Sequence, residues 1–184
     1  MPTVAEIESP KYRISSIAVD NVIFVNFTGD SLEAFKGWHD DLPDQRGEDP
    51  TETGWHVLLI TRKNPPYQGS YCLPGGFVDY GEDPNDAAPR ELKEETHISP
   101  ELLPSMTLVG VYGEKNRDPR RHVISIAYGC ILRPDLARVA HGGDDAKTAT
   151  LVPVRRIFAQ DVTLGFDHLK IVVDAFQKIV NKVG

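Results

Sequence analysis

The chain has 184 residues, 40% hydrophobic and 26% charged, an ordinary globular composition with room for one domain around a buried core. A net charge of −7 argues against a broad nucleic-acid or anionic-membrane surface, because both need a basic face. The N-terminus carries acids and no apolar core segment, and no apolar run approaches membrane-spanning length, so the expected location is the cytoplasm.

Residues 1–12 read as a loose lead-in and 13–184 as one domain. "RISSIAVDNVIFVNF" (13–27) is rich in β-branched residues and predicts one long strand or two short ones. Residues 28–54 are polar, acidic and punctuated by Gly and Pro, an insertion between core strands with one short helix near Ser31–Trp38. "WHVLLITRK" (55–63) is the next strand, and "NPPYQG" turns into a short strand "SYCLP". A loop and helix follow through residue 96, then paired strands at 106–114 and 121–132 around the charged loop "KNRDPRR". "ATLVPV" (149–154) is a further strand after the loop "HGGDDAK". The chain ends in a helix at 167–182, with Asp167 as N-cap and Leu169, Val172, Val173, Phe176, Ile179, Val180 and Val183 along one face. That stripe packs either on its own sheet or on a second subunit, which leaves a homodimer open. Plentiful strands and few helices predict a mixed α+β sandwich. The two cysteines, Cys72 and Cys130, sit in apolar strand-like runs and read as buried, reduced thiols.

The chemistry is concentrated in "GGFVDYGEDPNDAAPRELKEETHI" (75–98). Asp83-Pro84 or Asp86 can cap a helix there, with its regular part expected from about Asp86 and Pro89 tolerated in its first turn. At about 100° per residue, Glu91, Glu94 and Glu95 share an arc of roughly 100°, while Lys93 points away. Three carboxylates on one face repel unless a cation lies among them, and hard ions such as Mg²⁺ or Mn²⁺ take several carboxylate oxygens. Arg90 can pair with one of these carboxylates and fix its rotamer. Glu-rich helices are commonly solvated faces, so the upstream spacing decides. Gly76-x5-Glu82-x7-Arg90-Glu91-Leu92-x-Glu94-Glu95-x-x-Ile98 arises by chance roughly once in 10⁵ chains of this size.

This segment resembles the Nudix box, G-x5-E-x7-R-E-U-x-E-E-x-G-U, where U is a bulky aliphatic residue. The resemblance implies an α/β/α sandwich with a central mixed sheet. It implies an enzyme that uses Mg²⁺ and an activated water to hydrolyse a nucleoside diphosphate linked to another moiety. Glu91, Glu94 and Glu95 match metal-binding positions, the Gly75 carbonyl a further ligand position, and Glu82 and Arg90 supporting positions. Two departures stand out: His97 replaces the box's glycine, and Pro89 directly precedes Arg90. A left-handed cap at His97 is the expected accommodation. Outside the box, "RDPRRHVISIAY" (117–128), "GGDDA" (142–146), "ATLVPV" and "LGFDH" (164–168) are similar to ADP-ribose pyrophosphatases and to the Nudix module of NAD-metabolism regulators. About fifteen residues follow "LGFDH", which disfavours an appended DNA-binding domain. Lys115 stands where ADP-ribose hydrolases commonly carry a proline.

Arg117, Arg120 and Arg121 are candidate phosphate or ribose contacts, with a solvated hairpin loop as the alternative. Asp145, with Asp144 beside it, is the candidate acid that orients the water; a simple turn is its alternative. Phe77, Tyr80 or Tyr112 could stack on a base. The competing function is a catalytically weak Nudix fold that senses a nucleotide or binds a protein.

Overall fold

The computed structural model of the chain describes residues 14–35 and 52–182. The lead-in, the end of the helix expected near Ser31–Trp38, most of the 28–54 insertion and Val183 lie outside them. The strands are β1 (Ser16–Phe27), β2 (Gly54–Arg62), β3 (Tyr71–Cys72), β4 (Gly75–Phe77), β5 (Thr107–Tyr112), β6 (Val123–Ile131) and β7 (Ala146–Pro153). The helices are α1 (Gly29–Phe35), α2 (Pro84–Thr96), α3 (Val154–Phe158) and α4 (His168–Ala175).

β1 is one long strand, and every residue from Val19 to Val25 is buried. Apart from Asp20 and Asn21 that run is apolar, as a strand covered on both faces requires. Its alternate residues serve two cores. Val22 and Phe24 join Val57, Leu59, Val172 and Ala175, while Ile23, Val25 and Phe27 join Leu58, Leu92 and Leu151. The helices α4 and α2 therefore sit on opposite faces of a mixed sheet, in an α+β sandwich.

β1 is also the hub of the sheet. β6 runs parallel along one edge, from Ser16↔Val123 to Phe24↔Ile131. The other edge is shared, with Ala18–Asp20 pairing β4 and Phe24–Phe27 pairing β2. Beyond that point β2 pairs β3 at Ile60 and Thr61, and β7 along its far edge. So β1 and β2 part company, and the segment from β3 to β4 fills the split as a wedge. Asn21 N–H fastens it by donating to the Pro74 carbonyl at 2.8 Å. This split places the functional cavity.

α2 starts two residues before the expected Asp86. Asp83 is the N-cap, accepting from Asn85 N–H, and Pro84 takes the first helical turn. Pro89 lies inside the helix and lacks the N–H that the Asn85 carbonyl would accept. Its neighbours Ala87, Ala88 and Leu92 are nevertheless fully packed on the sheet. The helix ends at His97 in the left-handed conformation (φ 61°, ψ 9°), whose N–H closes on the Lys93 carbonyl at 2.8 Å. Its ring stacks on His141 with centroids 3.7 Å apart.

The last helix packs on its own sheet through Ile171, Val172, Ala175, Ile179 and Val180. Its register differs from the expected stripe, since Leu169 is exposed and Ile171 is buried. α4 passes into a wider turn, Phe176–Val180, closed by Asn181 N–H on the Phe176 carbonyl at 3.1 Å. Asp167 precedes α4 but makes no side-chain cap, because its carboxylate is held by Arg117 instead. The strand expected at 149–154 begins earlier, at Ala146, and α3 follows it unannounced. Both cysteines are free and buried. Among the described residues no helix is long and apolar enough to cross a membrane.

Candidate active site

The split between β1 and β2 opens into a cavity of about 420 Å³, within the usual range for a small-molecule site. α2 supplies one wall. Glu91, Glu94 and Glu95 all line it, so Pro89 does not turn the glutamate face away. Glu95 is buried, and its Oε2 accepts the Gly75 N–H at 2.8 Å. Burial pushes its pKa up to about 8, with the charges of Glu91 and Asp145 adding to the shift against the Gly75 bond and Arg62. Burial raises Glu91 too, opposed by Arg90.

Arg90 ties this wall together. Its Nε and Nη2 clamp the two oxygens of Glu82 at 2.7 Å each, holding that carboxyl down at about 2. Its Nη1 donates to Glu91 Oε1 at 2.8 Å and Glu94 Oε2 at 3.1 Å. Among the described residues no three His, Cys, Asp or Glu side chains converge as a finished ion cage. The physical reason is Arg90, which draws Glu91 and Glu94 toward itself while Gly75 holds Glu95. The chelating face expected from the sequence is present as a face, and a cation would have to take two of its carboxylates from Arg90.

The opposite side is the loop before β6. Arg117 departs from both expectations for that loop. Its side chain is only 4% exposed, and it clamps Asp167 at 2.6–3.1 Å while reaching Asp20 at 3.4 Å. It lines the cavity, but its guanidinium is engaged by the fold. Arg120 grips the buried Asp118 through Nε and Nη2 at 3.0 and 2.7 Å. Its Cζ lies 5.5 Å from the Phe77 ring centroid and 6.0 Å from that of Phe166. Arg121 Cζ lies 4.8 Å from the Phe77 centroid, although Arg121 does not itself line the cavity. Of the aromatic candidates only Phe77 reaches the cavity. Tyr112 is in the core with its hydroxyl on Asp174, and Tyr80 is fully exposed.

Asp144 and Asp145 complete the rim, and their loop is anchored at both ends. Gly143 N–H and Asp144 N–H cap the Glu95 and Glu94 carbonyls at 3.0 and 3.3 Å, an approach so close that any side chain at Gly143 would strike the Glu94 carbonyl. Lys63 Nζ donates to the Gly143 and Asp144 carbonyls, and Asn64 Nδ2 orients Asp145 Oδ1 at 3.1 Å.

A family model described as NUDIX domain matches residues 46–172. The chain belongs to the NUDIX family. It is 42% identical over 118 residues to an ADP-ribose pyrophosphatase of Methanocaldococcus jannaschii, an alignment covering 64% of each chain. It is 31% identical over 130 residues to an ADPR responsive transcriptional repressor of Acinetobacter baylyi, covering 68% of this chain and 48% of that one. The matched stretch thus spans under two thirds of the first relative and about half of the second. Among solved structures, a MutT/nudix family protein from Enterococcus faecalis superposes with a TM-score of 0.67 at 25% identity, over 98% of this chain and 70% of that one.

Six charged or aromatic residues of this NUDIX cavity escaped sequence reasoning: Asp20, Arg62, Asp79, Asp118, Phe166 and His168. Arg62 lies close enough to Glu95 to lower its pKa, and its Cζ stands 5.4 Å from the Phe166 centroid. Phe166 has a positive φ of 55° and packs on Tyr67 and His168. Asp20 offered a readable signal, as the lone charge inside the apolar run of β1. Counting all lining groups, eight carboxylates (Asp20, Asp79, Glu91, Glu94, Glu95, Asp118, Asp144, Asp145) face three arginines (Arg62, Arg117, Arg120). Two of those arginines are already paired. The excess of carboxylate oxygens fits a hard divalent cation.

Proposed function

We propose that the chain hydrolyses the pyrophosphate bond of a nucleoside diphosphate linked to another moiety, with ADP-ribose or a related ADP-sugar as substrate. The observation that carries this reading is the excess of carboxylates over arginines around one small-molecule-sized cavity. The relative from Methanocaldococcus jannaschii supports the choice of ADP-ribose. Residues 13–184 are assigned to one domain, and two buried free thiols accord with a cytoplasmic setting.

Glu91, Glu94, Glu95 and the Gly75 carbonyl would hold Mg²⁺, with Mn²⁺ as a substitute. A divalent cation held there would supply charge neutralisation of the diphosphate, polarisation of a phosphorus centre and a lowered pKa for the attacking water. Arg90 sets the glutamate rotamers and Glu82 holds Arg90. Asp145, oriented by Asn64 and close enough to Glu95 to raise its pKa, is the group to accept the proton of the attacking water. Arg120, with Phe77 and Phe166, holds the nucleoside end of the substrate, and Arg121 acts there through the Phe77 ring. Arg117 braces the floor instead of contacting phosphate.

A second reading draws on Arg90 holding Glu91 and Glu94, and on the repressor relative: a NUDIX fold that binds the nucleotide without turning it over. Phosphate release with added phosphatase, from a panel of ADP-sugars, NADH, dinucleoside polyphosphates and nucleoside triphosphates, separates the two. Turnover of an ADP-sugar that needs Mg²⁺ or Mn²⁺ is expected. Tight binding of ADP-ribose with no release from any compound would establish the second reading.

A further inference from the structure

We propose that His168 is a positioning residue for the glutamate site, acting through the backbone of the wedge; the inference rests on the hydrolase reading above. His168 is the first residue of α4 and is buried. Its Nδ1 accepts the Leu73 N–H at 2.9 Å. A ring nitrogen that accepts an amide proton carries none itself, so in the neutral ring the proton is on Nε2. That nitrogen faces Asp20 Oδ1 at 3.3 Å. The other oxygen of Asp20 takes the Ser125 hydroxyl and Arg117 Nη2, and Arg117 in turn clamps Asp167, the residue just before His168. The ring is held on both sides. Although His168 lines the cavity, both its nitrogens are engaged, which leaves no polar atom to contact a ligand.

What His168 can do is seat Leu73. Two residues further on, Gly75 N–H holds Glu95, and between them the Pro74 carbonyl is taken by Asn21 N–H and Nδ2. A side chain at Gly75 would run into the Val19 carbonyl, so the wedge lies hard against β1. The connection runs from α4 through His168, Leu73 and Gly75 to Glu95, the most buried carboxylate of the α2 wall. Loss of the Nδ1 acceptor would free the near end of the wedge and loosen Gly75 and Glu95 together.

The test uses the full chain and three variants. His168→Asn keeps an acceptor at the position of Nδ1. His168→Gln places its polar atoms where Nε2 stood, and His168→Leu has none. Amide hydrogen exchange at Leu73 and Gly75, Mn²⁺ affinity by calorimetry, and kcat and KM for ADP-ribose are the readouts. Outer partners of metal ligands typically matter by 10–100-fold, so the Leu and Gln variants should bind Mn²⁺ about tenfold more weakly and lose roughly 30-fold in kcat with KM little changed. Exchange at Leu73 and Gly75 should quicken while the later amides of α4 stay protected, and His168→Asn should restore all three readouts. Wild-type Mn²⁺ affinity and exchange in the Gln variant would overturn the proposal. So would an Asn variant as impaired as Leu, because the ring would then matter only as packing. If the wild-type chain binds Mn²⁺ and hydrolyses nothing, the hydrolase reading falls, and the exchange and Mn²⁺ readouts still decide the role of His168.

Discussion

The glutamate wall and the floor of the cavity are both rich in partly or fully buried charge, yet they balance it differently. On the wall, Glu91, Glu94 and Glu95 crowd onto one turn and a half of α2 with Arg90 as their neighbour, and burial leaves Glu91 and Glu95 with raised pKa values. On the floor, Asp20, Arg117, Asp167 and Ser125 come from β1, the β5–β6 loop, the α4 entry and β6, and they satisfy one another. Charge that the fold neutralises is structural. The wall is compensated only in part, since Arg90 bonds Glu91 and Glu94 while Glu95 is held by the Gly75 N–H.

The largest expected effect is at the partly compensated side. Glu95→Gln should cut divalent-dependent kcat about 10³-fold, equivalent to roughly 4 kcal/mol, because it removes a hard anionic oxygen. Without metal the same change should help the fold. Glu95 titrates at about 8 in the folded chain against an ordinary 4.5, so its protonated form stabilises the native state below about 4.5 and that contribution is lost as pH rises toward 8. In EDTA the melting temperature should therefore fall from pH 5 to 8.5, and Glu95→Gln should flatten the fall. Parallel pH profiles for the two proteins would show that Glu95 carries no uncompensated charge, and the contrast between wall and floor would lose its basis.

Arg117→Ala tests the floor. Removing the cation from a buried pair strands Asp20 and Asp167, and such losses typically cost about 3 kcal/mol or more in urea denaturation. Arg90→Ala should cost less stability, since its side chain is 28% exposed and its partners, none of them fully buried, can reach water. Arg90→Ala should instead act on kcat. Equal stability losses would mean that the two walls are the same kind of structure.

The two regions were also unequally legible. The α2 wall could be read because helix periodicity links residues three and four apart, and nothing distant is needed to place them. The strands of the core were legible for a similar reason, since an apolar run reports burial on both faces by itself. The floor joins residues 50–105 positions apart, and no local pattern encodes such a meeting. Asp167 shows the cost of local reading: its expected cap is absent because a distant Arg117 competes for the carboxylate. β4 was missed because Gly75 and Gly76 have poor strand propensity, and the close approach to Val19 is what requires Gly75. α3 was missed because Pro153 precedes it and offers no side-chain cap.

Between wall and floor stands Arg120, fixed by Asp118 and placed near both Phe77 and Phe166. Its side chain is 42% exposed but its partner Asp118 is buried, so Arg120→Ala should cost some stability, less than Arg117→Ala because the Arg120 N–H still donates to Asp118 Oδ1. KM for ADP-ribose should rise about tenfold, roughly 1.4 kcal/mol of binding, with kcat within a factor of about three. Steady-state kinetics beside a thermal melt distinguish this from a packing role. An unchanged KM would return Arg120 to the surface of the loop.

The smallest effect tests whether the wall depends on its unusual end. His97 holds a left-handed conformation at φ 61°, where glycine would relieve about 1 kcal/mol of strain. Glycine also gives the unfolded chain more freedom, worth about 0.4–1 kcal/mol in the opposite sense, and abolishes the stack on His141. These terms nearly cancel, so His97→Gly should change stability by less than about 0.5 kcal/mol. The stack can be isolated with His141→Ala, which should cost more in the wild-type chain than in the His97→Gly background, as a double-mutant cycle in urea would report. Activity should stay near wild type in either background. The cap bond to the Lys93 carbonyl and the bond from His141 N–H to the Thr96 carbonyl are made by backbone, and so is the closure of Gly143 on Glu95. A fall of more than about threefold in kcat on losing the imidazole pair would mean that backbone alone does not hold this junction. The stacked rings would then share in fixing the 142–145 loop, and the position of Asp145 would depend on a residue where the NUDIX pattern has glycine.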